Sequence, residues 1–362
     1  MPSPPPPSLT ESVYRSARVH RLLAPVAACV AMLVLAGCGF GDHATGTPAG
    51  ATVTPSSTTA TTATTTTATT STTTSSSSTT SLAGSGKPAV VIGDKNFNEQ
   101  FVLGQLYLQA LQAQGFSVTI DRNIGATAVT VQALATGRLA MYPEYLQTWN
   151  ADVAGDARGY RSVAAAYEAG QHYALDHGFV LLDPTPFGDT GAIAVTVAYA
   201  AQNHLRSIHD LRRVAKSLTL GGPLQFQQGA GALLPALEQT YGFAPAAFTA
   251  LAVGQQYQLL DQGSIQAADV DTTDGQLATG DYTLLSDPKN VFGWGNVVPV
   301  VSTRALDEEG PAFAATVNRV SALLSTGVMR QLNELVDVAG QSPVAVASAF
   351  LQTHGLLTPL TP

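Results

Sequence analysis

The sequence predicts an α/β protein of two lobes, each a mostly parallel sheet flanked by helices. Three observations carry that expectation. From Pro88 onward, short apolar runs alternate with stretches of helical periodicity. A proline-rich segment, Asp183-Pro184-Thr185-Pro186-Phe187, separates two apolar runs near the middle and suits a crossing between lobes. A second alternating unit opens at Ser217, and the run Val297-Val298-Pro299-Val300-Val301 then suits a return crossing.

Taken in order, Ala89-Val90-Val91-Ile92-Gly93 reads as a first buried strand. Asn98 stands where a helix N-cap is expected. Apolar residues then recur at Leu103, Leu106, Tyr107, Ala110 and Leu111, the spacing of one helix face. Gly115 stops that helix. Residues 116–120 alternate and read as a second strand, residues 126–135 as a second helix, and residues 139–142 as the start of a third strand. A β-α-β-α-β order calls for parallel strands joined by crossover helices. Residues 179–182 and 192–198 read as further strands. The second unit takes a strand at 217–222, a helix at 233–241 and a strand at 248–251, and residues 312–356 are largely helical. Sheets of this kind bind ligands beyond the carboxyl ends of their strands. The loops after Ile92, Tyr142, Phe187 and Val270 are therefore the informative ones, and polar and aromatic residues gather there.

Ahead of this folded part, Arg18, His20 and Arg21 precede an apolar run over residues 22–35 and then Leu35-Ala36-Gly37-Cys38. A basic start, a short apolar core and small residues before a cleavage point describe an export signal over residues 1–37. The run is too short to span a membrane comfortably, which takes about 20 apolar residues. Leu-Ala-Gly-Cys has the form of a bacterial lipobox, in which Cys38 would carry the lipid that anchors the mature chain to the outer face of the membrane. Residues 38–87 read as a tether, because residues 52–81 are nearly all Thr, Ser and Ala and bring too little apolar surface to offset the entropy of ordering. Cys29 leaves with the signal, so the mature chain keeps one cysteine and no internal disulfide.

The formal charge is −8, and the arginine-bearing leader makes the mature chain about −10. No basic stripe exists, which argues against nucleic acid. Charged residues are 12% of the chain, about half the usual share, so surface ion-pair networks should be sparse.

At the informative loops the chain resembles the osmoprotectant-binding proteins of ABC importers, the glycine betaine, choline and carnitine family. The resemblance rests on an ordered set of stretches. They include Ile92-Gly93-Asp94-Lys95-Asn96-Phe97-Asn98-Glu99-Gln100, Met141-Tyr142-Pro143-Glu144-Tyr145, Gly254-Gln255-Gln256-Tyr257-Gln258, Thr273-Asp274-Gly275-Gln276 and Leu332-Asn333-Glu334-Leu335. It implies a type II periplasmic-binding-protein fold with the ligand in the interlobe cleft. Lobe one would take residues 88–187 plus 297–362, and lobe two residues 188–296. It also implies a small solute and ABC permease subunits as partners, no cofactor, no metal and a monomeric receptor.

Carried over by motif, Lys95, beside Asn96, would meet a ligand carboxylate, Tyr145 and Tyr257 would be walls of an aromatic cage, and Thr148 would donate a hydroxyl. Asp189 would turn a backbone carbonyl toward the ligand's cation, next to Thr190. Two positions depart from the family pattern: Gly191 and Asp271 stand where cage aromatics are usual. Gly191 is expected to enlarge the pocket. Asp271 replaces a ring with an anion that can balance a cation by charge, or hydrogen-bond an amine or a hydroxylated ligand such as a polyol, sugar-like or phenolic compound. Trp149 and Trp294 are candidates for a replacement wall, although packing suits them better, and Tyr142 reads as core.

Two rival classes fit parts of the sequence. For an enzyme, the chain lacks a Gly-x-Ser-x-Gly elbow, a Walker loop and a His-Glu-x-x-His pair. Glu99 and Glu144 remain as a carboxylate pair, yet both fall inside the stretches above. A cell-surface scaffold would also suit the Thr/Ser tether.

Overall fold

The computed structural model describes residues 81–229 and 231–358. The export signal, Cys38 and nearly all of the tether lie outside the described residues. In chain order the strands are β1 (Ala89–Gly93), β2 (Ser117–Asp121), β3 (Met141–Tyr145), β4 (Phe179–Leu181), β5 (Gly191–Thr196), β6 (Thr219–Gly222), β7 (Ala247–Ala250), β8 (Ala267–Asp271), β9 (Tyr282–Leu285) and β10 (Val297–Ser302). Helices α1 (Asn98–Ala113), α2 (Thr127–Ala135) and α3 (Val163–Asp176) accompany the first four strands. Next come α4 (Val197–Asn203), α5 (Leu233–Tyr241) and α6 (Gln256–Asp261). The last four are α7 (Thr303–Glu309), α8 (Pro311–Ser321), α9 (Thr326–Asp337) and α10 (Pro343–Thr353).

Two five-stranded sheets result, ordered β2-β1-β3-β10-β4 and β7-β6-β8-β5-β9. They share one plan without sharing a sequence repeat. In each, the first three neighbours pair in parallel, and the fourth strand in the order, β10 or β5, runs against the other four. Both reversed strands directly follow a segment that crosses from the other sheet. A chain entering a lobe from its neighbour starts its strand at the shared edge, whereas the other strands end there.

Each sheet is covered on both faces, which is why its strands read as apolar runs and not as alternations. In β10, Val297 and Val301 face one core with α1, α8, α9 and α10, while Val298 and Val300 face another with Leu134 and Trp149. The second sheet divides likewise. Ile193 and Val195 join the α5 side, and Ala192 and Ala194 the α6 side.

Three expectations need correction. The folded body begins before Pro88: the Gly84 amide donates to Gln114 O at 2.9 Å and the Lys87 ammonium to Glu308 O at 2.9 Å. The N-cap of α1 is Phe97, and Asn98 is the first helical residue, its side-chain amide donating to Asp337 Oδ1 at 2.5 Å. The strand expected over 192–198 ends at Thr196, whose hydroxyl accepts from Tyr199 N at 3.2 Å and so starts α4. The expectation of mostly parallel sheets holds, with one strand of five reversed in each; apolar periodicity, which reports burial and not direction, does not mark which one.

Two segments cross between the sheets and are laced together. Gly188 and Asn296 form a bridge. The buried Asn296 side chain donates to Thr185 O at 2.9 Å and Phe187 O at 3.2 Å, and Thr185 Oγ1 accepts from Val297 N at 3.0 Å. A third contact is made by α9, where Arg330 Nε donates to Thr272 O at 2.7 Å and Asn333 Nδ2 to Thr273 O at 2.9 Å. Gly275 completes it: a β-carbon there would lie 2.6 Å from Glu334 N and 2.7 Å from Glu334 Cα. Helix backbone cannot swing aside as a side chain can. Gly275→Ala is therefore expected to cost about 1–3 kcal/mol of stability through overpacking. Urea denaturation reads this directly, and an unchanged midpoint would show that α9 is free to slide.

Candidate ligand-binding cleft

The carboxyl ends of β1 and β3 face the start of β5 and the end of β8. Between them lie two adjacent cavities of about 520 Å³ and 530 Å³ that share Phe97, Asp189 and Asp271. The first is also lined by Lys95, Tyr145, Thr148, Thr190 and Gly191, and the second by Asn96, Tyr257 and Asp274. All eight sequence-nominated cleft residues thus border this one region. The reversal of β5 places Gly191 directly beside Asp271 in the ladder.

Lys95 follows β1 in a loop fixed by Asp94, whose Oδ1 accepts from Asn123 N at 2.9 Å. Its ammonium lies 2.6 and 2.7 Å from the two oxygens of Glu144 and 3.0 Å from Thr127 Oγ1. Glu144 is fully buried in β3, and its Oε1 also accepts from Tyr145 N at 2.8 Å. An ammonium has three N–H donors, and these partners take all three. The expected salt bridge from Lys95 to a ligand carboxylate therefore has no spare donor, because an internal carboxylate already occupies it.

Tyr145 closes β3 and stacks on Phe97, with ring centroids 6.0 Å apart and planes at 27°. Its hydroxyl donates to Glu99 Oε1 at 2.7 Å, and Asn333 Nδ2 donates to Glu99 Oε2 at 2.9 Å. Glu99 and Glu144 consequently have separate partners and do not act as a pair. On the second lobe, the Tyr257 hydroxyl donates to Asp274 Oδ2 at 2.7 Å. The Thr190 amide donates to Thr272 Oγ1 at 3.0 Å, and the Asp189 amide to Gly295 O at 3.0 Å. Asp189 Oδ1 is shielded from water and has no hydrogen-bond partner.

Among the described residues lining the two cavities, carboxylates outnumber cations. Burial raises Glu99, and the hydroxyl and amide donors around it offset only part of that. Burial, then the charges of Glu99 and Asp271, holds Asp189 well above the ordinary carboxylate range. Asp271 reaches water in the cleft, yet protein encloses it on most sides. That enclosure, with the charges of Asp274 and Glu99, pushes it up to about 7. Half-buried Asp269 behind it is pushed up to about 8 by burial and then by Asp271 and Asp274.

Gly191 does not enlarge the pocket. The ring of Phe292 stands in front of it, with Cδ1 2.8 Å from where a β-carbon would be. Neither tryptophan supplies a wall. Trp149 is fully buried in the first lobe with Nε1 donating to Gly170 O at 3.0 Å, and Trp294 Nε1 donates to Tyr160 O at 2.9 Å. Phe97, Thr127, Phe292 and Asn333 were missed as site residues. Glu144 alone left a signal for its role, an acidic residue inside an otherwise apolar strand. Phe292 left none, since its place in the cleft depends on a glycine one hundred residues earlier.

The chain is similar in sequence and fold to several known proteins. A family model described as the substrate binding domain of ABC-type glycine betaine transport systems matches residues 88–353. The glycine betaine-binding protein YehZ of Escherichia coli K12 is 30% identical over 286 residues, covering 74% of this chain and 90% of that one. A glycine-betaine-binding protein of Pseudomonas aeruginosa is 29% identical over 277 residues, covering 74% and 88%. The solved structure of apo YehZ from Escherichia coli superposes with a TM-score of 0.65 at 29% identity, covering 74% of this chain and 99% of that one.

Removing Lys95 would strand a buried carboxylate. Lys95→Met is expected to cost about 3–5 kcal/mol in chemical denaturation, and a loss below about 1 kcal/mol would contradict the pairing. The raised carboxyls of Asp269 and Asp271 hold protons that an unfolded chain, titrating near 4, has released. Their stabilisation is complete below about pH 4 and is lost as pH rises through about 7 to 8. The melting temperature of the ligand-free protein should therefore fall between pH 5 and pH 8. Asp269→Asn should flatten that slope, and an unaltered slope would refute the assignment.

Proposed function

The chain belongs to the family of substrate-binding domains of ABC-type glycine betaine transport systems, and from that premise we propose that its cleft captures a small quaternary-ammonium solute of the osmoprotectant class. Proteins of this kind bind a solute outside the cytoplasmic membrane and work with the permease subunits of an importer. Their task is binding, and no bond need be made or broken.

The observation that carries the reading is a ring and bare carboxylates in one cavity. Tyr145, backed by Phe97, lines the same space as Asp189 and Asp271. A weakly hydrated cation is drawn to an aromatic ring by about 0.5–2 kcal/mol, and the nearby anions add charge balance. Thr148 and Thr190 border the same cavity and offer hydroxyls to the polar end of the solute. Lys95 serves as a wall, neutralised by Glu144, so the site makes little use of a ligand carboxylate. The preferred solute is thus a net cation such as choline, ahead of the zwitterion glycine betaine. Tyr257 and Asn96 border the neighbouring cavity and meet the solute's other end when the lobes fold together. The two laced crossings serve as the hinge of that movement.

A second reading rests on one atom. Asp189 Oδ1 is buried without a donor, and a quaternary ammonium has no N–H to give it. A primary amine does.

We place the lobes at residues 88–187 plus 297–362, with residues 82–87 packed onto the first, and 188–296. The export signal covers residues 1–37, a lipid on Cys38 holds the protein at the membrane, and the Thr/Ser tether spaces it outward.

Calorimetry with choline, glycine betaine and ethanolamine tests the reading. Choline should bind more tightly than glycine betaine, and its affinity should rise from pH 6 to pH 8 as Asp271 ionises. Ethanolamine binding more tightly than choline would favour the second reading. Failure of all three to bind would overturn both.

A further inference from the structure

We propose that Phe292 is a specificity-determining wall of the cleft, whose ring fills the space left by glycine at 191 and selects a cationic head group over a neutral one of the same shape. The inference rests on the reading of the cleft as a cation site and adds to it the residue that sets the selection.

Gly191 is not glycine for the sake of its backbone. Its φ lies outside the left-handed region, so its main chain would accept any residue. The requirement comes from the neighbouring side chain. A β-carbon at 191 would lie 2.8 Å from Phe292 Cδ1 and 2.9 Å from Cε1, closer than carbon atoms pack. One aromatic ring thus stands in the cleft where the strand itself contributes nothing.

That ring is held from several sides. The Phe292 amide donates to Asp287 Oδ2 at 2.9 Å. The other oxygen of Asp287 accepts from the Tyr241 hydroxyl, which in turn accepts from Lys289 N at 2.9 Å. Phe226 stacks on the ring at 6.5 Å with planes 13° apart. Two residues on, Trp294 Nε1 donates to Tyr160 O of the first lobe. The ring is 5% exposed, and it borders the cavity that also holds Tyr145, Asp189 and Asp271. A ring fixed in this way gives up no rotamer freedom when a ligand arrives. Beside two carboxylates, it distinguishes charge as well as shape.

Choline and its neutral carbon isostere, dimethylbutanol, separate those contributions. The full chain should bind choline more tightly than the isostere. Phe292→Leu keeps apolar bulk and removes the π system, so the preference should fall by about two- to thirtyfold. Phe292→Tyr should preserve it. Melting curves of each variant check the fold. Gly191→Ala forces the ring aside and should lower the preference in the wild-type background, yet add nothing to Phe292→Leu. A purely structural role for Phe292 would weaken both ligands equally and leave their ratio alone. An unchanged ratio in Phe292→Leu, while the parent still binds choline, overturns this proposal and spares the cation site. Should that variant not fold, an unchanged ratio in Gly191→Ala overturns it instead. No choline binding by the parent chain overturns the cation site and the wall together.

Discussion

Asn296 and Thr185 lie buried where the two crossing segments run side by side, and their hydrogen bonds join one lobe to the other. Their lacing fixes which ends of the sheets face each other. Because β5 and β10 each begin at this junction, they run against their neighbours, and the starts of these strands sit beside the ends of the others. Ligand-facing residues therefore come from loop after loop on both lobes, in a cleft that neither sheet encloses alone. Short extended segments of this kind, tied by a few backbone and side-chain hydrogen bonds, can bend without unfolding either core. The contact of α9 with Thr272, Thr273 and Gly275 adds a third point that limits how far the lobes can part.

Inside the cleft the decisive feature is an imbalance of charge. Lys95 is the cation nearest to a ligand's path, and Glu144 neutralises it before any ligand enters. Arg330, on the far side, is committed to a backbone carbonyl. Glu99, Asp189, Asp271 and Asp274 are left around one cleft, and the charges of Glu99, Asp271 and Asp274 raise the proton affinity of carboxylates beside them. Such a cluster tolerates neutrality by holding protons, and a cation arriving from solution can replace those protons. For the proposed cationic solute, capture and proton release would then be linked. The aromatic side of the same cavity supplies attraction without competing for those protons. Rings and carboxylates therefore cooperate, where a lysine with a free donor would oppose them.

The glycine at 191 illustrates how space in a binding site is shared. Its missing side chain does not leave a void, because protein interiors fill openings of that size from whatever side can reach. Here the filler comes from a loop between β9 and β10, far away in sequence, and it arrives already anchored by Asp287 and Phe226.

The sequence by itself determined the class of fold, most element positions and the loops that carry the site. Burial on both faces writes apolar runs into strands, and a helix bounded by stop residues, such as Leu233–Tyr241, is a local event. The family resemblance added Lys95, Thr148, Asp189 and Asp271 beside those loops, Tyr145 at the end of β3 and Tyr257 in α6. Strand direction was not legible, since apolar periodicity is the same for a strand read either way. Nor was the start of the folded body at residues 82–86, whose Leu-Ala-Gly-Ser-Gly stretch looks like tether until Gln114 and Phe116 are seen to pin it. Only the tertiary structure decided what each site residue does. The pairing of Lys95 with Glu144, the meeting of Phe292 with Gly191 and the raised carboxyls all depend on side chains from distant segments sharing one enclosed volume. Local propensity carries no term for such encounters, because their energies exist only once water has been excluded from between them.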